Sequence, residues 1–339
     1  MVVKVSILVA VYNGARYLAQ MIDSVAQQTF TDYELVLVND ASTDDTLAIM
    51  QKARANNPKI KVVTYEKNKT LPGALNEGLK VCAGEFLFRC DADDLMVPEC
   101  LAKLNDFLLK HPDYDGVICD EQKVDENLKP KYMLLKLLDD YYIKKQNLFR
   151  AAYGGPTSFI KRVKYIEAGY HDERLRSGSD RGIAIKMHHM TKLGHIPERL
   201  YVYREHSSNI TKTLSAFKKT KKFKEMFAEY TRQEFSLSDY INDEVQVKKF
   251  LTYTADYMDI RRIKYANVIL KCALHLAKAG EKKLALVELA KAEMVHPRPR
   301  FTVFRLAMWL GFRNYLDTLY VNMNVWTAYA YDDFYLYSA

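Results

Sequence analysis

Residues 4–11 (KVSILVAV) are apolar almost without interruption, and the run stops at Tyr12-Asn13-Gly14. Apolar side chains on both alternating faces predict a strand buried on both sides, as in a parallel sheet. From about 15 to 28 the period changes. Leu18, Met21, Ile22 and Val25 recur at helical spacing and predict a helix with one buried stripe. Residues 34–38 predict a second strand, broken by Asn39-Asp40-Ala41-Ser42-Thr43, and Thr43-Asp44-Asp45 is the expected cap of a second helix. A third strand over 61–65, a third helix over 72–82 with Pro72 in its first turn, and a fourth strand over 85–89 continue the alternation. A further helix is expected to begin near Val97-Pro98. Strand and helix at this spacing predict right-handed βαβ units, hence an α/β fold with a mostly parallel, Rossmann-like sheet and helices on both faces.

In such sheets ligands bind beyond the carboxyl ends of the strands. Three polar groups fall there: Tyr12-Asn13 after the first strand, Asp40 after the second, and Asp91-Ala92-Asp93-Asp94 after the fourth. Three carboxylates in four positions repel one another unless a cation sits among them, and hard carboxylate oxygens suit Mg2+ or Mn2+ completed by phosphate oxygens and water. On an extended backbone Asp91 and Asp93 would point the same way, with Ala92 opposite. A plainer reading makes the run an acidic loop ahead of the next helix.

Composition narrows the picture. The chain has 339 residues, 49% of them hydrophobic, with a net charge of +8. That suits a nucleotide, an anionic sugar or a membrane surface, and nothing in it requires nucleic acid. Five cysteines without CxxC spacing argue for a reducing compartment and against a disulfide framework or structural zinc. The apolar run 301–312 is interrupted by Arg305, no run reaches bilayer-spanning length, and no signal pattern opens the chain. The expectation is a cytoplasmic protein, at most peripheral at the inner face of the membrane. There is no GxGxxG and no P-loop, so any phosphate must be held by metal and side chains.

The segments Ser6-Ile-Leu-Val-Ala-Val-Tyr12-Asn13-Gly14, Val38-Asn-Asp40-Ala-Ser-Thr-Asp44, Ala74-Leu-Asn76-Glu-Gly and Arg89-Cys-Asp91-Ala-Asp93-Asp94 resemble, in order and spacing, those of family-2 glycosyltransferases of GT-A fold. With the segment discussed next, the resemblance covers residues 3 to about 212. It implies a UDP-sugar donor, with Asp40 accepting from the base's imide N–H and Tyr12 stacking near the base. A carboxylate can read uracil, thymine or guanine in this way. It implies Asp93 as the main ligand of Mn2+ or Mg2+, with Asp91 at the ribose or the metal, and transfer with inversion. Ala10, Asn68, Lys69 and Asn76 are expected on the donor side. Arg89 either adds positive charge near the diphosphate or pairs with the aspartates beside it.

In the second half, Gly169-Tyr-His-Asp172-Glu-Arg-Leu-Arg-Ser-Gly-Ser179-Asp180-Arg181 leads into a predicted helix running to Leu193. It resembles the family's stretch carrying the catalytic base, and the matching position is Asp180. Ser179 replaces the family's usual Glu, and the usual aromatic continuation is missing. Asp180 could also cap the helix. After a strand-like stretch over 200–203, Arg204 and His206 resemble an Arg-x-His that closes over the diphosphate, which makes Arg204 a donor contact and His206 a metal ligand or a hydrogen-bonded structural residue. Gly154-Gly155-Pro156-Thr157 reads as a loop entering an edge strand near the acceptor.

Residues 1–213 are thus expected to form the GT-A domain and 214–339 an α-helical C-terminal extension. Lys218, Lys219, Lys221, Lys222 and Lys224 among Phe217, Phe223 and Phe227 would suit an anionic leaflet or a solvated helix face. Tyr265, Val268, Ile269, Cys272 and Leu276 make one stripe, and Leu284, Val287 and Met294 another after Gly280. The Tyr-rich tail with Trp326 could serve a homo-oligomer contact, the catalytic domain or a membrane interface. The expected acceptor is an oligosaccharide or lipid-linked glycan. The rivals are a nucleotide-sugar-binding protein without catalysis and a nucleotidyltransferase.

Overall fold

Four strands, β1 (Val5–Val11), β2 (Tyr33–Asn39), β3 (Ile60–Thr64) and β4 (Phe86–Arg89), pair in parallel in the order β3-β2-β1-β4. Helices α1 (Ala15–Ala26), α2 (Thr46–Asn56) and α3 (Thr70–Val81) connect them. These facts come from a computed structural model, which describes residues 3–134, 154–175, 178–187, 190–209 and 282–295, with residues 270 and 273. The pleat of β1 sends Val5, Ile7, Val9 and Val11 into one core with Leu18, Met21 and Val25 of α1 and Met50 of α2. Leu8, on the opposite face, meets α3, where a methyl on Gly78 would lie 2.3 Å from Leu8 Cδ1 and 2.7 Å from Val38 Cγ2. Gly78 is therefore the residue that lets α3 lie flat on the sheet.

Beyond β4 the sheet changes character. It continues through β8 (Ser158–Lys161), β6 (Gly116–Val124), β9 (Leu193–Arg204) and β5 (Leu95–Met96), with β7 (Pro130–Leu134) added on β6. β8 runs antiparallel to both its neighbours, β6 and β9 are parallel, and β5 and β7 are antiparallel to their partners. The parallel half is the one predicted; the second half is mixed. The other helices among the described residues are α4 (Cys100–Lys110), α5 (Arg162–Glu167), α6 (Ser179–Lys186) and α7 (Lys282–Val295).

Several local expectations are corrected. The strand after Gly154-Gly155 is not at an edge: β8 lies between β4 and β6, and Ser158, Phe159 and Ile160 are fully buried. The helix from Ser179 ends at Lys186, and Leu193 already belongs to β9. The second helix is held at its start by Asp44, whose Oδ1 accepts from the Thr46 amide (3.1 Å) and hydroxyl (2.5 Å), while Asp45 at the boundary makes no side-chain cap. In α7 the expected stripe residue Val287 is 52% exposed, whereas Ala285, Glu288, Leu289, Lys291 and Ala292 are buried; the side chains of Leu284 and Met294 lie outside what the structure describes. The basic stretch 217–227, the stripe 265–276 apart from residues 270 and 273, the tail from 314 and the domain division at 213 lie outside the described residues. The described cysteines Cys82, Cys90, Cys100 and Cys119 are free and buried. Among the described residues no helix is long and apolar enough to cross a membrane.

Candidate active site

The loops after β1 and β2 are stitched together. Asn13, with φ +52°, accepts from the Thr43 amide (2.8 Å) through Oδ1, and its own amide donates to Ser42 Oγ (3.0 Å). The amides of Gly14 and Ala15 donate to Thr46 Oγ1 and Asp44 Oδ2. This loop also reaches the acidic run: a methyl on Gly14 would sit 3.6 Å from Ala92 Cβ, and 2.5 Å from Val11 Cγ1. The convergence inferred from strand ends is therefore present. Tyr12 stands 56% exposed at this rim, directly after β1, while Ala10 is half-buried inside the strand.

Asp40 is 2% exposed. Its Oδ1 accepts from the Lys69 amide (2.7 Å) and its carbonyl accepts from Asn68 Nδ2 (3.0 Å). Burial raises its pKa, against the opposing pull of the Lys69 and Thr70 amides and the Lys69 charge. The Lys69 ammonium itself turns to Glu77 (2.9 Å) and the Tyr65 ring. Asn76 is engaged elsewhere: its Nδ2 donates to the His171 carbonyl and Glu173 Oε1, and its Oδ1 accepts from the His171 amide, pinning α3 to residues 171–173.

The acidic run does not continue the strand. Residues 92–93 form a turn closed by the Asp94 amide donating to the Asp91 carbonyl (3.2 Å), so the extended alternation expected of Asp91 and Asp93 is corrected. Each carboxylate has its own partner. Asp91 Oδ1 lies 2.6 Å from Arg89 Nη2, and Asp93 Oδ2 lies 2.7 Å from His206 Nε2. Asp94 is completely buried, accepting from Tyr201 Oη (2.8 Å) and the Arg204 amide (2.8 Å). Tyr201 Oη in turn accepts from the Asp91 amide (3.0 Å). One tyrosine of β9 thus clamps both ends of the run. Burial raises the pKa of Asp91, helped by Asp93, Asp180 and Glu121 and opposed by Arg89. Burial with Asp93 and Asp91 raises Asp94 further, although Tyr201 and the Arg204 amide favour its charge.

His206 is buried, with Nδ1 on Ser208 Oγ (2.9 Å) and its ring 4.9 Å from that of Tyr17. Asn209 Nδ2 also approaches Asp93 Oδ2 (3.3 Å). Arg204 ends β9 just before this loop, but its guanidinium lies over the Tyr17 ring (4.4 Å) and donates to Gln20 Oε1 (2.7 Å) on α1. Among the described residues no three His, Cys, Asp or Glu side chains form a metal-binding group. Asp93 and His206 are a pair, one carboxylate and one imidazole with their donor atoms together, which fits a divalent cation that takes its other ligands from phosphate and water.

Asp180 lies in the first turn of α6, after Gly178 at φ +79°. Its Oδ1 is 3.3 Å from Arg89 Nη1. Arg89, whose two roles were left open, pairs with Asp91 and Asp180. Asp94, Tyr201, Tyr17 and Asn209 were not singled out from sequence. Asp94 was visible as the third acid of the run, whereas the Tyr201 contact spans 110 residues and leaves no local signal.

The family model described as Glycosyl transferase family 2 matches residues 6–167. EpsE of Bacillus subtilis (strain 168) is 40% identical over 115 residues, 34% of this chain and 41% of that protein. The protein named poly(ribitol-phosphate) beta-N-acetylglucosaminyltransferase TarS of Staphylococcus aureus (strain Mu50) is 28% identical over 205 residues, 59% of this chain and 35% of TarS. The chain thus spans well under half the length of these relatives. The crystal structure of S. aureus TarS 1-349 in complex with UDP-GlcNAc superposes with a TM-score of 0.60 at 21% identity, over 91% of this chain and 92% of that one. The mannosyltransferase PcManGT of Pyrobaculum calidifontis, in complex with GDP-Man and Mn2+, gives 0.53 at 18% identity over 96% and 87%. At these identities both show the fold alone: the GT-A type of α/β architecture.

Proposed function

We propose that the chain is a family-2 glycosyltransferase, on the match of that family's model to residues 6–167, and that it moves a sugar from UDP to a hydroxyl of a glycan or lipid-linked acceptor, with inversion. The carrying observation is the convergence of three strand-end elements, with Asp93 facing His206 and Asp180 reached from Asp91 through Arg89. Asp40 offers its carboxylate to the imide N–H of uracil, and exposed Tyr12 offers a ring face to the base. Uracil is favoured because the TarS neighbour holds UDP-GlcNAc; the GDP-Man complex of PcManGT makes guanine the competing reading.

Asp93 and His206 would hold Mn2+ or Mg2+, and the second oxygen of Asp91 is available to the ribose or the same ion. When bound, such a cation withdraws charge from the departing diphosphate. The chain's own contribution is at the acceptor: Asp180 takes the proton of the attacking hydroxyl, so the nucleophile gains charge as the anomeric bond breaks. Buried Asp94 and Tyr201 keep the run in place. Residues 1–213 constitute the catalytic unit, and 214–339 serve the acceptor, a second copy or a membrane surface.

The test is a nucleotide-sugar screen. The purified chain should release UDP from at least one UDP-sugar when Mn2+ or Mg2+ is supplied, and EDTA should stop it. Turnover of GDP-mannose alone would overturn the uracil assignment, and thermal stabilisation by UDP without turnover across acceptors would favour a binding protein.

A further inference from the structure

Arg89 ends β4 with its backbone in register with Leu8 of β1, and its side chain is 4% exposed. A guanidinium removed from water to this degree requires compensating charge. Asp91 supplies a short, well-formed bond at 2.6 Å, and the field of Asp91 and Asp180 outweighs desolvation and keeps the arginine charged. The approach to Asp180 is different. Nη1 and Oδ1 are 3.3 Å apart, yet both are buried atoms without a hydrogen bond. Two more buried polar atoms without hydrogen-bond partners belong to residues in the same field. Tyr165 Oη feels both Arg89 and Asp180, and His171, whose pKa is pushed down to about 3 by burial and by Arg89, has an unpartnered Nδ1. Neutral His171 and Tyr165 bring no competing charge to the guanidinium.

The other oxygen of Asp180 lies close against the Gly155 backbone. A methyl on Gly155 would lie 2.9 Å from Asp180 Oδ2 and 3.1 Å from Arg89 Nη1. The preceding Gly154, at φ +85°, packs against the start of α6, its notional methyl 2.7 Å from Ile183 Cγ2 and 3.0 Å from the Asp180 carbonyl. Asp180 is thus addressed on Oδ1 by a buried cation, while its side chain as a whole keeps 31% of its surface exposed.

We propose that Arg89 is a positioning residue that acts through Asp180: anchored on Asp91, it holds Oδ1 inward so that the other oxygen, Oδ2, takes the acceptor proton. This rests on the reading of Asp180 as the base. Arg89 does not touch the donor; it ties the acidic turn to the start of α6, so the proton acceptor and the diphosphate end of the site keep one separation. Misplacing a reacting group by about 1 Å costs on the order of 100-fold in rate.

The experiment compares Arg89→Gln, Arg89→Lys, Gly155→Ala and Asp180→Asn for UDP affinity by calorimetry with Mn2+ and for kcat and donor KM. Arg89→Gln should lower kcat by about 100-fold while UDP Kd and donor KM stay within about 3-fold, and Arg89→Lys should restore part of kcat because a cation returns. In the Asp180→Asn background, Arg89→Gln should add little, since both act on one step. Should Arg89→Gln fail to fold, Gly155→Ala keeps the charges and crowds Oδ2; it should lower kcat at unchanged UDP affinity. A loss of UDP affinity as large as the loss of kcat would make Arg89 a donor contact and overturn the proposal, as would normal kcat in Gly155→Ala. Full kcat in Asp180→Asn would instead remove the base assignment itself, a separate outcome from normal kcat in Arg89→Gln with Asp180→Asn impaired.

Discussion

The two rims of the parallel half-sheet treat buried carboxylates in opposite ways. At the amino rim Glu34, buried at the start of β2, faces Ser6 Oγ (2.5 Å), the Ala83 amide (2.6 Å) and Lys61 Nζ (2.6 Å). Burial pushes its pKa up, but these groups outweigh it and the net shift is down. At the carboxyl rim Asp40, Asp91 and Asp94 are all shifted up, burial being the largest cause in each. In the first arrangement two hydrogen bonds on Oε1 and the Lys61 ion pair on Oε2 outweigh the cost of burial and stabilise the charged form. In the second, burial outweighs the partners that favour the charged form, a balance that clusters at functional sites. Buried acid alone therefore does not mark a site; the balance of its partners does.

The largest effect should come from the carboxyl rim. Asp180→Asn should lower transfer by about 10²–10⁴-fold, the usual contribution of a general base, with UDP binding retained; stopped-flow or endpoint UDP release at saturating donor reads it. Tyr201→Phe comes next. It strips buried Asp94 of a hydrogen bond and the Asp91 amide of its acceptor, which should cost about 1–3 kcal/mol of stability and weaken UDP binding as well, by denaturant titration and calorimetry. Tyr12→Ala should raise UDP Kd about 10-fold through lost base stacking with the melting temperature unchanged, because the ring is exposed.

The smallest and most discriminating change is Glu34→Gln at the other rim. Its folded pKa is depressed, so its stabilisation is present above the unfolded value near 4.5 and disappears as pH falls through the lower folded value. The variant should lose about 1 kcal/mol at neutral pH, show a flatter acid limb in melting temperature against pH, and keep normal kcat. Reduced kcat there at full stability would erase the distinction between the rims.

The legible parts were those whose local pattern and final environment agree. β1 and β2 read as buried strands because most of their side chains are apolar and buried on both faces, and α1 reads as a helix because Leu18, Met21 and Val25 do face the core. β6, the longest strand after β9, carries Asp120, Glu121 and Lys123, which hid it. Those charges are met far along the chain or along the strand itself, Asp120 by His195 at 2.9 Å and Glu121 by Lys123 at 2.8 Å, and no sequence window contains both Asp120 and His195. The helix at Asp180 was overextended because the apolar residues of β9 follow it closely. In the site, Asp40, Asp91, Asp93 and Asp180 could be found as acids at element ends. The partner choice of Arg89 could not, because it depends on where α6 comes to rest against β4, which only the assembled second half decides.

The central claim is that the carboxyl rim gathers a divalent cation and a diphosphate on Asp93. Calorimetric titration of UDP into the wild-type chain and Asp93→Ala, each with Mn2+ and with EDTA, tests it most directly. Wild type should bind UDP markedly tighter with Mn2+, and the variant should bind equally weakly in both. Manganese dependence undiminished in Asp93→Ala, or no UDP binding by the wild type under either condition, would contradict it.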